Sequence, residues 1–167
     1  MSATNRGAER RASDFYPTPW KGILPLMPFL SRDVNYWEPA CGDGAIVVPM
    51  RCNGFSIMGA DLAPKNFCEV TADFLKDEAR RGFIITNPPF SVAMEFCDHA
   101  IAHADEVLML LRLNFLGSKK RQFWWMSHEP AALFVLSERP SFTGKGTDAC
   151  EYAWFYWGNR FSGIRHI

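Results

Sequence analysis

Apolar residues along the chain alternate between short continuous runs and sets spaced as on one face of a helix. Runs of apolar residues bounded by Gly, Pro, Asn and Asp favour buried strands, and such strands are typical of parallel sheets covered on both faces. The predicted strands are Val34–Trp37, Phe55–Ala60, a weak one near Glu69–Thr71, Gly82–Thr86, Val107–Leu111, Ala132–Leu136 and Tyr152–Trp157.

Helix-spaced segments separate most of these strands. They predict helices at Trp20–Leu30, Ala45–Cys52, Leu75–Arg81, Val92–His103 and Lys119–Ser127. Pro25 and Pro28 are expected to shorten or kink the first of these, because proline interrupts the helical hydrogen-bond ladder. The alternation of strand and helix predicts an α/β fold with a mostly parallel sheet.

No internal repeat or low-complexity linker divides the chain, so we expect a single domain over residues 14–167. Residues 1–13 are small, polar and basic, and we expect a mobile N-terminal tail there. The chain is 48% hydrophobic and contains 14 Phe and 6 Trp, which argues against global disorder.

Charge is balanced overall but not along the chain. Lys and Arg together number 18, as do Asp and Glu, whereas from Arg112 onward eight basic residues accompany four acidic ones. This asymmetry favours an anionic substrate that meets the C-terminal part of the chain.

The cysteines and histidines indicate neither a disulfide framework nor a metal site. The five cysteines are odd in number and form no CxxC pair, and the four histidines show no metal-binding spacing. No signal peptide is visible, and no apolar run approaches the ~20 residues of a membrane span. We therefore expect a cytoplasmic protein that does not contact a membrane.

Polar clusters follow four of the predicted strands. Because the carboxyl ends of parallel strands share one edge of the sheet, ligands bind at that edge. The clusters are Glu38–Gly44, Asp61-Leu62, Asp73-Phe74 and Asn87–Phe90.

The first cluster has the glycines of a nucleotide-binding turn without a basic residue. Gly42 and Gly44 allow a tight turn and close approach to a ligand, but Glu38 and Asp43 would repel a phosphate. Ribose hydroxyls and a cationic amine or sulfonium are better suited to this loop. Asp61 is placed like the carboxylate that holds ribose hydroxyls in dinucleotide folds, and Asp73 with Phe74 is expected to flank an adenine ring.

The cluster Asn87-Pro88-Pro89-Phe90 points to an amino group as substrate. The two prolines fix the backbone and lack amide donors, so the side-chain oxygen of Asn87 and the carbonyl of Pro88 remain as acceptors. Two acceptors suit an –NH₂ group and keep its lone pair available for attack on a methyl group. Phe90 offers a face on which a planar base could stack.

Together these motifs resemble those of the adenine-N6 DNA methyltransferases, which have a class I Rossmann-like fold. Asp14–Pro19 (DFYPTP) is similar to their N-terminal cofactor motif, and Glu38–Gly44 (EPACGDG) to their S-adenosylmethionine loop. Asp61 is similar to the ribose contact, Asp73-Phe74 to the adenine contact and NPPF to the catalytic motif. The segment Glu138–Asp148 and the strand Tyr152–Trp157 look like the end of short adenine methyltransferases of phages and prophages.

The resemblance implies a mostly parallel seven-stranded sheet with helices on both faces and a C-terminal reversed hairpin. It implies S-adenosylmethionine as methyl donor, S-adenosylhomocysteine as product, no metal, and adenine flipped out of DNA to give N6-methyladenine. It places the enzyme in a bacterial cell, with the gene carried by a phage. The implied catalytic residues are Asn87, Pro88, Pro89 and Phe90. The implied cofactor-binding residues are Tyr16, Thr18, Glu38, Pro39, Cys41, Gly42, Asp43, Gly44, Asp61, Leu62, Asp73 and Phe74.

Larger members of this family have a separate target-recognition domain, for which residues 14–167 leave no room. We therefore expect the loops Arg112–Gln122 and Ser137–Ala149 to meet the nucleic acid, with Lys and Arg on phosphates. The residues predicted for this surface are Arg112, Asn114, Lys119, Lys120, Arg121, Arg139 and Lys145. A solvated basic face with no partner is the alternative interpretation of these loops, and Trp124 and Trp125 are expected in the core more than on a base.

Other functions remain compatible with the sequence. NPP-aromatic motifs also occur in methyltransferases of RNA adenine and of glutamine amides, although the glutamine enzymes usually have Tyr at the fourth position. A cofactor-binding but inactive or partner-dependent module is a further alternative, which the intact Asn87 argues against. The sequence does not choose between a monomer and a homodimer.

Overall fold

Eight strands form one sheet in the computed structural model of the protein, which describes residues 16–65, 67–142 and 148–167. The predicted tail at residues 1–13 and the predicted nucleic-acid contact Lys145 lie outside the described residues. The strands are β1 Asn35–Glu38, β2 Ser56–Asp61, β3 Val70–Thr71, β4 Arg81–Thr86, β5 Ala104–Arg112, β6 Ala132–Val135, β7 Tyr152–Trp157 and β8 Gly163–His166.

The strand order across the sheet is β3-β2-β1-β4-β5-β7-β6-β8. Strands β1 to β5 pair in parallel, and β7 runs antiparallel to both of its neighbours, β5 and β6. This confirms the predicted mostly parallel sheet with a reversed C-terminal hairpin. The carboxyl ends of β1, β2 and β4 therefore meet at one edge, where the predicted motifs begin.

The sheet has one strand more than predicted. β8 adds to the outside of β6 in parallel, and backbone hydrogen bonds from Gly163 N to Ala131 O (3.0 Å) and from Ile167 N to Val135 O (2.9 Å) hold it there. Its sequence (GIRH) has one apolar side chain, Ile164, which is exposed. Because β8 is held by backbone hydrogen bonds and buries little side-chain surface, its sequence contains no apolar run from which a strand could be predicted.

Short helices connect the strands: α1 Trp20–Ile23, α2 Val47–Cys52, α3 Ala93–His103 and α4 Gln122–Ser127. The chain continues from α1 as a 3-10 helix over Leu24–Phe29, with Pro25 in its first turn and Pro28 inside it. The prolines thus limit the α-helix as predicted. No helix in the part of the chain that the structure describes is long and apolar enough to cross a membrane.

The predicted helix at Leu75–Arg81 is wrong. The segment contains one 3-10 turn, Phe74–Lys76, and then extends into β4. The Asp77 carboxylate accepts a hydrogen bond from the Ala79 amide (3.0 Å) and pairs with Arg81 (2.5 Å). Such local side-chain hydrogen bonds offer the backbone an alternative to the helical hydrogen-bond ladder. The segment also has no apolar face whose burial would stabilise a helix.

Apolar side chains pack on both faces of the sheet and form two cores. One core, which includes Ile23, Leu26 and Met50, lies under α1, the following 3-10 helix and α2. The other, which includes Phe96, Cys97 and Trp124, lies under α3 and α4. All six residues of β7 are buried, since this strand has a neighbour on each side and a core on each face. Helices therefore cover both faces, as predicted.

Candidate active site

A cleft of about 260 Å³ opens at the carboxyl ends of β1, β2 and β4. The loops after these three strands form its walls, and the segment 16–18 contributes a further side. It is lined by Tyr16, Pro17, Thr18, Glu38, Ala40, Cys41, Gly42, Asp43, Ala45, Asp61, Leu62, Ala63, Lys65, Asn87, Pro88, Pro89 and Phe90. The structure thus brings three of the predicted motifs and part of the DFYPTP segment to one place.

The loop after β1 depends on glycine. Gly42 and Gly44 have φ angles of 54° and 85°, in the left-handed region that favours glycine. A Cβ atom on Gly44 would lie 2.6 Å from the Cβ of Phe67, which is closer than side-chain carbons approach. This loop can therefore turn tightly past the segment that follows β2 only with glycine at this position.

Asp61 ties the loops after β1 and β2 together. Its carboxylate accepts hydrogen bonds from the amides of Gly42 (2.8 Å) and Ala63 (2.9 Å). The Cys41 amide donates to the carbonyl of Ala60 (2.9 Å), next to Asp61 in sequence. Each carboxylate oxygen has a second lone pair, so Asp61 keeps acceptors for hydroxyl groups in the cleft.

Glu38 places a buried carboxyl at the base of the cleft. Its side chain accepts a hydrogen bond from the Val47 amide at the start of α2, but its Oε2 atom has no partner among the described residues. Burial raises the pKa of Glu38 well above its ordinary value, and the negative charges of Asp61 and Asp43 raise it further.

Asp43 adds a second buried acceptor. Its Oδ1 atom also has no hydrogen-bond partner among the described residues. Buried acceptors without donors cost free energy, so this wall of the cleft suits a ligand with cationic and hydroxyl donors. The ribose and ammonium groups of S-adenosylmethionine are of this kind, so the residues present fit that cofactor.

Asn87 is oriented by the opposite wall. Its Nδ2 donates to the backbone carbonyl of Tyr16 (3.1 Å), whereas its buried Oδ1 has no partner in the described part of the chain. This hydrogen bond to Tyr16 fixes the orientation of the Asn87 side-chain amide, because its Nδ2 already has an acceptor. The free oxygen of Asn87 can therefore accept a hydrogen bond from a ligand.

An aromatic cluster surrounds Phe90. The Tyr16 ring stacks on one side of Phe90, with centroids 5.4 Å apart and planes at 25°. The Phe142 ring meets the Phe90 ring edge-on, with centroids 6.0 Å apart. It lies tilted against the Tyr152 ring, with centroids 5.0 Å apart. The guanidinium of Arg112 lies 4.7 Å from the Phe90 ring centroid. A planar, electron-poor group would find several aromatic contacts here.

Most of the predicted cofactor residues line the cleft, but four do not. Pro39 and Gly44 lie buried within the loop after β1. Phe74 packs in the core against Phe96 (4.9 Å), and Asp73 pairs with Lys76 (2.8 Å), which lowers the pKa of Asp73. The predicted adenine contact of Asp73 and Phe74 stays a prediction.

The predicted nucleic-acid residues differ in their surroundings. Arg112 pairs with Asp148 and Arg139 with Glu151 (2.6 Å), while Arg121 donates to the carbonyl of Phe115 (2.8 Å). Asn114 is exposed, and its carbonyl accepts from Arg121. Lys119 and Lys120 are exposed, with no ion-pair partner among the described residues. Whether these loops bind nucleic acid stays a prediction.

Three residues around Phe90 were not predicted as site residues from the sequence. Phe142, Asp148 and Tyr152 come from the segment between β6 and β7 and from the start of β7, more than fifty positions after Phe90. The start of the reversed strand β7 lies beside the end of β5, where Arg112 pairs with Tyr152 in the sheet register. The predicted reversed hairpin was the signal that could have placed Tyr152 there.

Within the described residues, no group of His, Cys, Asp and Glu side chains is arranged to hold a metal ion. No protein-family model matches the sequence, and no curated protein matches it.

Solved structures do match the fold. An inferred RNA methyltransferase from Pyrococcus horikoshii superposes with a TM-score of 0.67 at 11% identity, over 93% of this chain and 91% of that one. An inferred class I S-adenosylmethionine-dependent methyltransferase from Listeria monocytogenes gives 0.62 at 9% identity, over 97% and 68% of the two chains. The fold is that of the class I methyltransferases.

A third structure is the modification subunit of an inferred type I restriction enzyme from Vibrio vulnificus. It gives a TM-score of 0.63 at 15% identity, over 93% of this chain. The match spans 48% of that subunit, about half of its length. At identities this low, the comparisons establish the architecture, and the chemistry is argued from the site.

Proposed function

We propose that this protein transfers a methyl group from S-adenosylmethionine to the exocyclic amino nitrogen of adenine in DNA. The observation that carries the proposal is the unpaired Oδ1 of Asn87, which is held by the contact of its Nδ2 with Tyr16 O at the edge of an acidic cleft. The class I methyltransferase fold and the similarity to a restriction-modification subunit support it.

The cofactor would occupy the acidic wall of the cleft. Asp61 offers acceptors for ribose hydroxyls, and Glu38 with Asp43 offers buried acceptors for a cation. When bound there, S-adenosylmethionine supplies a methyl group activated by its sulfonium. No metal is needed for this reaction, because the leaving group is a neutral thioether.

The target amino group would be held by two acceptors, Asn87 Oδ1 and the carbonyl of Pro88. Hydrogen bonds from both amino protons to these oxygens discourage delocalisation of the nitrogen lone pair into the ring. The lone pair is then available for in-line attack on the methyl carbon, and the surplus amino proton passes to water. Alignment of donor and acceptor is the main catalytic contribution of such a site.

Adenine in a duplex hides its amino group, so the base would be flipped into the pocket beside Asn87 and Phe90. Base selection within this chain would rest on its loops. Lys119 and Lys120 are the exposed cations available for phosphates in the loop after β5.

The test is transfer of tritiated methyl from S-adenosylmethionine to unmethylated duplex DNA, single-stranded DNA or total RNA, followed by nucleoside analysis. We expect N6-methyladenine in a DNA sample. If label were found only in RNA, the substrate would be RNA and not DNA. Cofactor binding without label in any polymer would favour an inactive or partner-dependent module.

Substitution of Asn87 tests the catalytic assignment. We expect Asn87→Ala to lower kcat by about 100- to 1,000-fold, as for the loss of one well-placed hydrogen bond to the reacting group, while cofactor affinity changes little. Asn35→Ala, at the exposed start of β1, is the matched control and should retain full activity. Activity of Asn87→Ala near that of the control would contradict the mechanism.

A further inference from the structure

Two side chains lie over the ring of Phe90 in the structure. The Tyr16 ring stacks on it with centroids 5.4 Å apart, and the guanidinium carbon of Arg112 lies 4.7 Å from its centroid. A base inserted against Phe90 needs two contact distances of roughly 3.5 Å, or about 7 Å between the flanking groups. Neither gap is wide enough, so one neighbour of Phe90 has to move before a base can stack there.

Arg112 is held over Phe90 by a small polar network. Its Nε donates to the hydroxyl of Tyr152 (2.8 Å), and its Nη2 lies 3.2 Å from Asp148 Oδ2. The Tyr152 hydroxyl donates in turn to the same Asp148 oxygen (2.6 Å). The guanidinium is therefore positioned by two bonds, and neither of them involves Phe90 itself.

Of the two neighbours, Arg112 is the easier to displace. The Tyr16 ring also packs edge-on against Phe142, with centroids 6.4 Å apart, so displacing it from Phe90 would cost a second aromatic contact. The Arg112 side chain is 39% exposed and that of Asp148 is 21% exposed, so their ion pair is partly screened by solvent and contributes modestly. A released guanidinium can also form a new charge-assisted contact with a phosphate.

We propose that Arg112 is a gate: it covers Phe90 when no nucleic acid is bound and gives up its place to the target adenine. Asp148 and Tyr152 are the positioning residues that hold the gate closed. This inference rests on the proposed adenine methylation and adds to it the residues that control entry of the base.

If Arg112 acts as a gate, weakening its contacts with Asp148 or Tyr152 should lower the KM for DNA. Asp148→Asn leaves Phe90, Tyr16 and Asn87 unchanged but loosens Arg112. We expect the KM for DNA to fall about twofold to fivefold, the equivalent of one partly exposed ion pair, with kcat less affected. Tyr152→Phe removes the other bond and should change KM in the same direction.

The matched control is Asp105→Asn, which removes a comparable ion pair, Arg80–Asp105 (2.5 Å), at the start of β5. Its KM should equal that of the unmodified protein. A KM of Asp148→Asn that equals the control value, or that rises because Arg112 is a fixed wall of the pocket, would overturn the gate. Thermal unfolding of each variant separates these results from loss of fold.

A direct readout does not depend on turnover. The NMR signal of the Arg112 Nε–H group, assigned by its disappearance in Arg112→Lys, carries the ring-current shift of Phe90. A saturating single-stranded oligonucleotide with one adenine should abolish that shift, and the same strand with an abasic site should not. An unmoved signal overturns the gate whether or not methyl label is incorporated. A moved signal without label overturns the proposed function and leaves the gate standing.

Discussion

Glu38 offers a test in which stability and cofactor binding change in opposite directions. The side chain is 2% exposed, its Oε2 has no partner among the described residues, and burial raises its pKa well above the ordinary value. A carboxyl with a raised pKa stabilises the fold in its neutral form, and this contribution is lost as the pH rises through the folded-state pKa. The protein without cofactor should therefore lose stability as the pH rises above the ordinary glutamate pKa.

The substitution Glu38→Gln keeps the size of the side chain and removes its charge. At pH 8 we expect it to stabilise the cofactor-free protein by about 1–3 kcal/mol, because a buried ionisable carboxyl without a partner costs more than a neutral amide at the same place. For a chain of this size that corresponds to a rise in Tm of about 3–10 °C. The pH dependence of Tm attributable to Glu38 should disappear.

Cofactor affinity should change in the other direction. Removal of a charge-assisted hydrogen bond to the cation of S-adenosylmethionine costs about 1.5–3 kcal/mol, or roughly 10- to 150-fold in Kd. In the unmodified protein, binding requires Glu38 to lose its proton, so affinity should rise with pH. In Glu38→Gln this contribution to the pH dependence should vanish.

The assay is isothermal titration of S-adenosylmethionine between pH 6 and pH 9, alongside thermal unfolding without cofactor. Glu78→Gln, an exposed carboxyl on the segment before β4, is the matched control. If Glu38→Gln bound the cofactor within twofold of the unmodified protein and was also less stable, Glu38 would be a structural residue and the reasoning would be refuted.

Two further predictions concern the packing around the site and the reversed strand. In Gly59→Ala the new Cβ would lie 2.7 Å from Cys41 Sγ, so the Cys41 side chain or the loop that carries it must shift. We expect a loss of about 1–3 kcal/mol in unfolding free energy and weaker cofactor binding, whereas Gly82→Ala, with no atom within 4 Å, should be neutral by the same titrations. Tyr156→Phe removes the hydroxyl that donates to Glu106 (2.5 Å) and accepts from the Arg160 amide (2.9 Å). We expect a loss of about 1–3 kcal/mol in urea unfolding, and an unchanged midpoint would contradict this role.

The sequence alone determined the parallel part of the sheet and the wall of the cleft. Apolar runs such as Phe83–Thr86 are buried in the sheet, and the polar residues that follow them fall at the carboxyl edge because parallel strands all end there. Glu38, Asp61 and Asn87 could be assigned to one site for this reason, without knowledge of any contact between them.

Tertiary structure alone decided the rest. β8 is held by backbone hydrogen bonds, which leave no trace in the side-chain pattern. Phe74 packs against Phe96 because the turn at Phe74–Lys76 places its ring in the core under α3. The contact of Arg112 with Phe90, Asp148 and Tyr152 joins residues from separate loops across the reversed strand. Pairing over such sequence distances depends on how the strands are ordered, and local propensity does not encode that order.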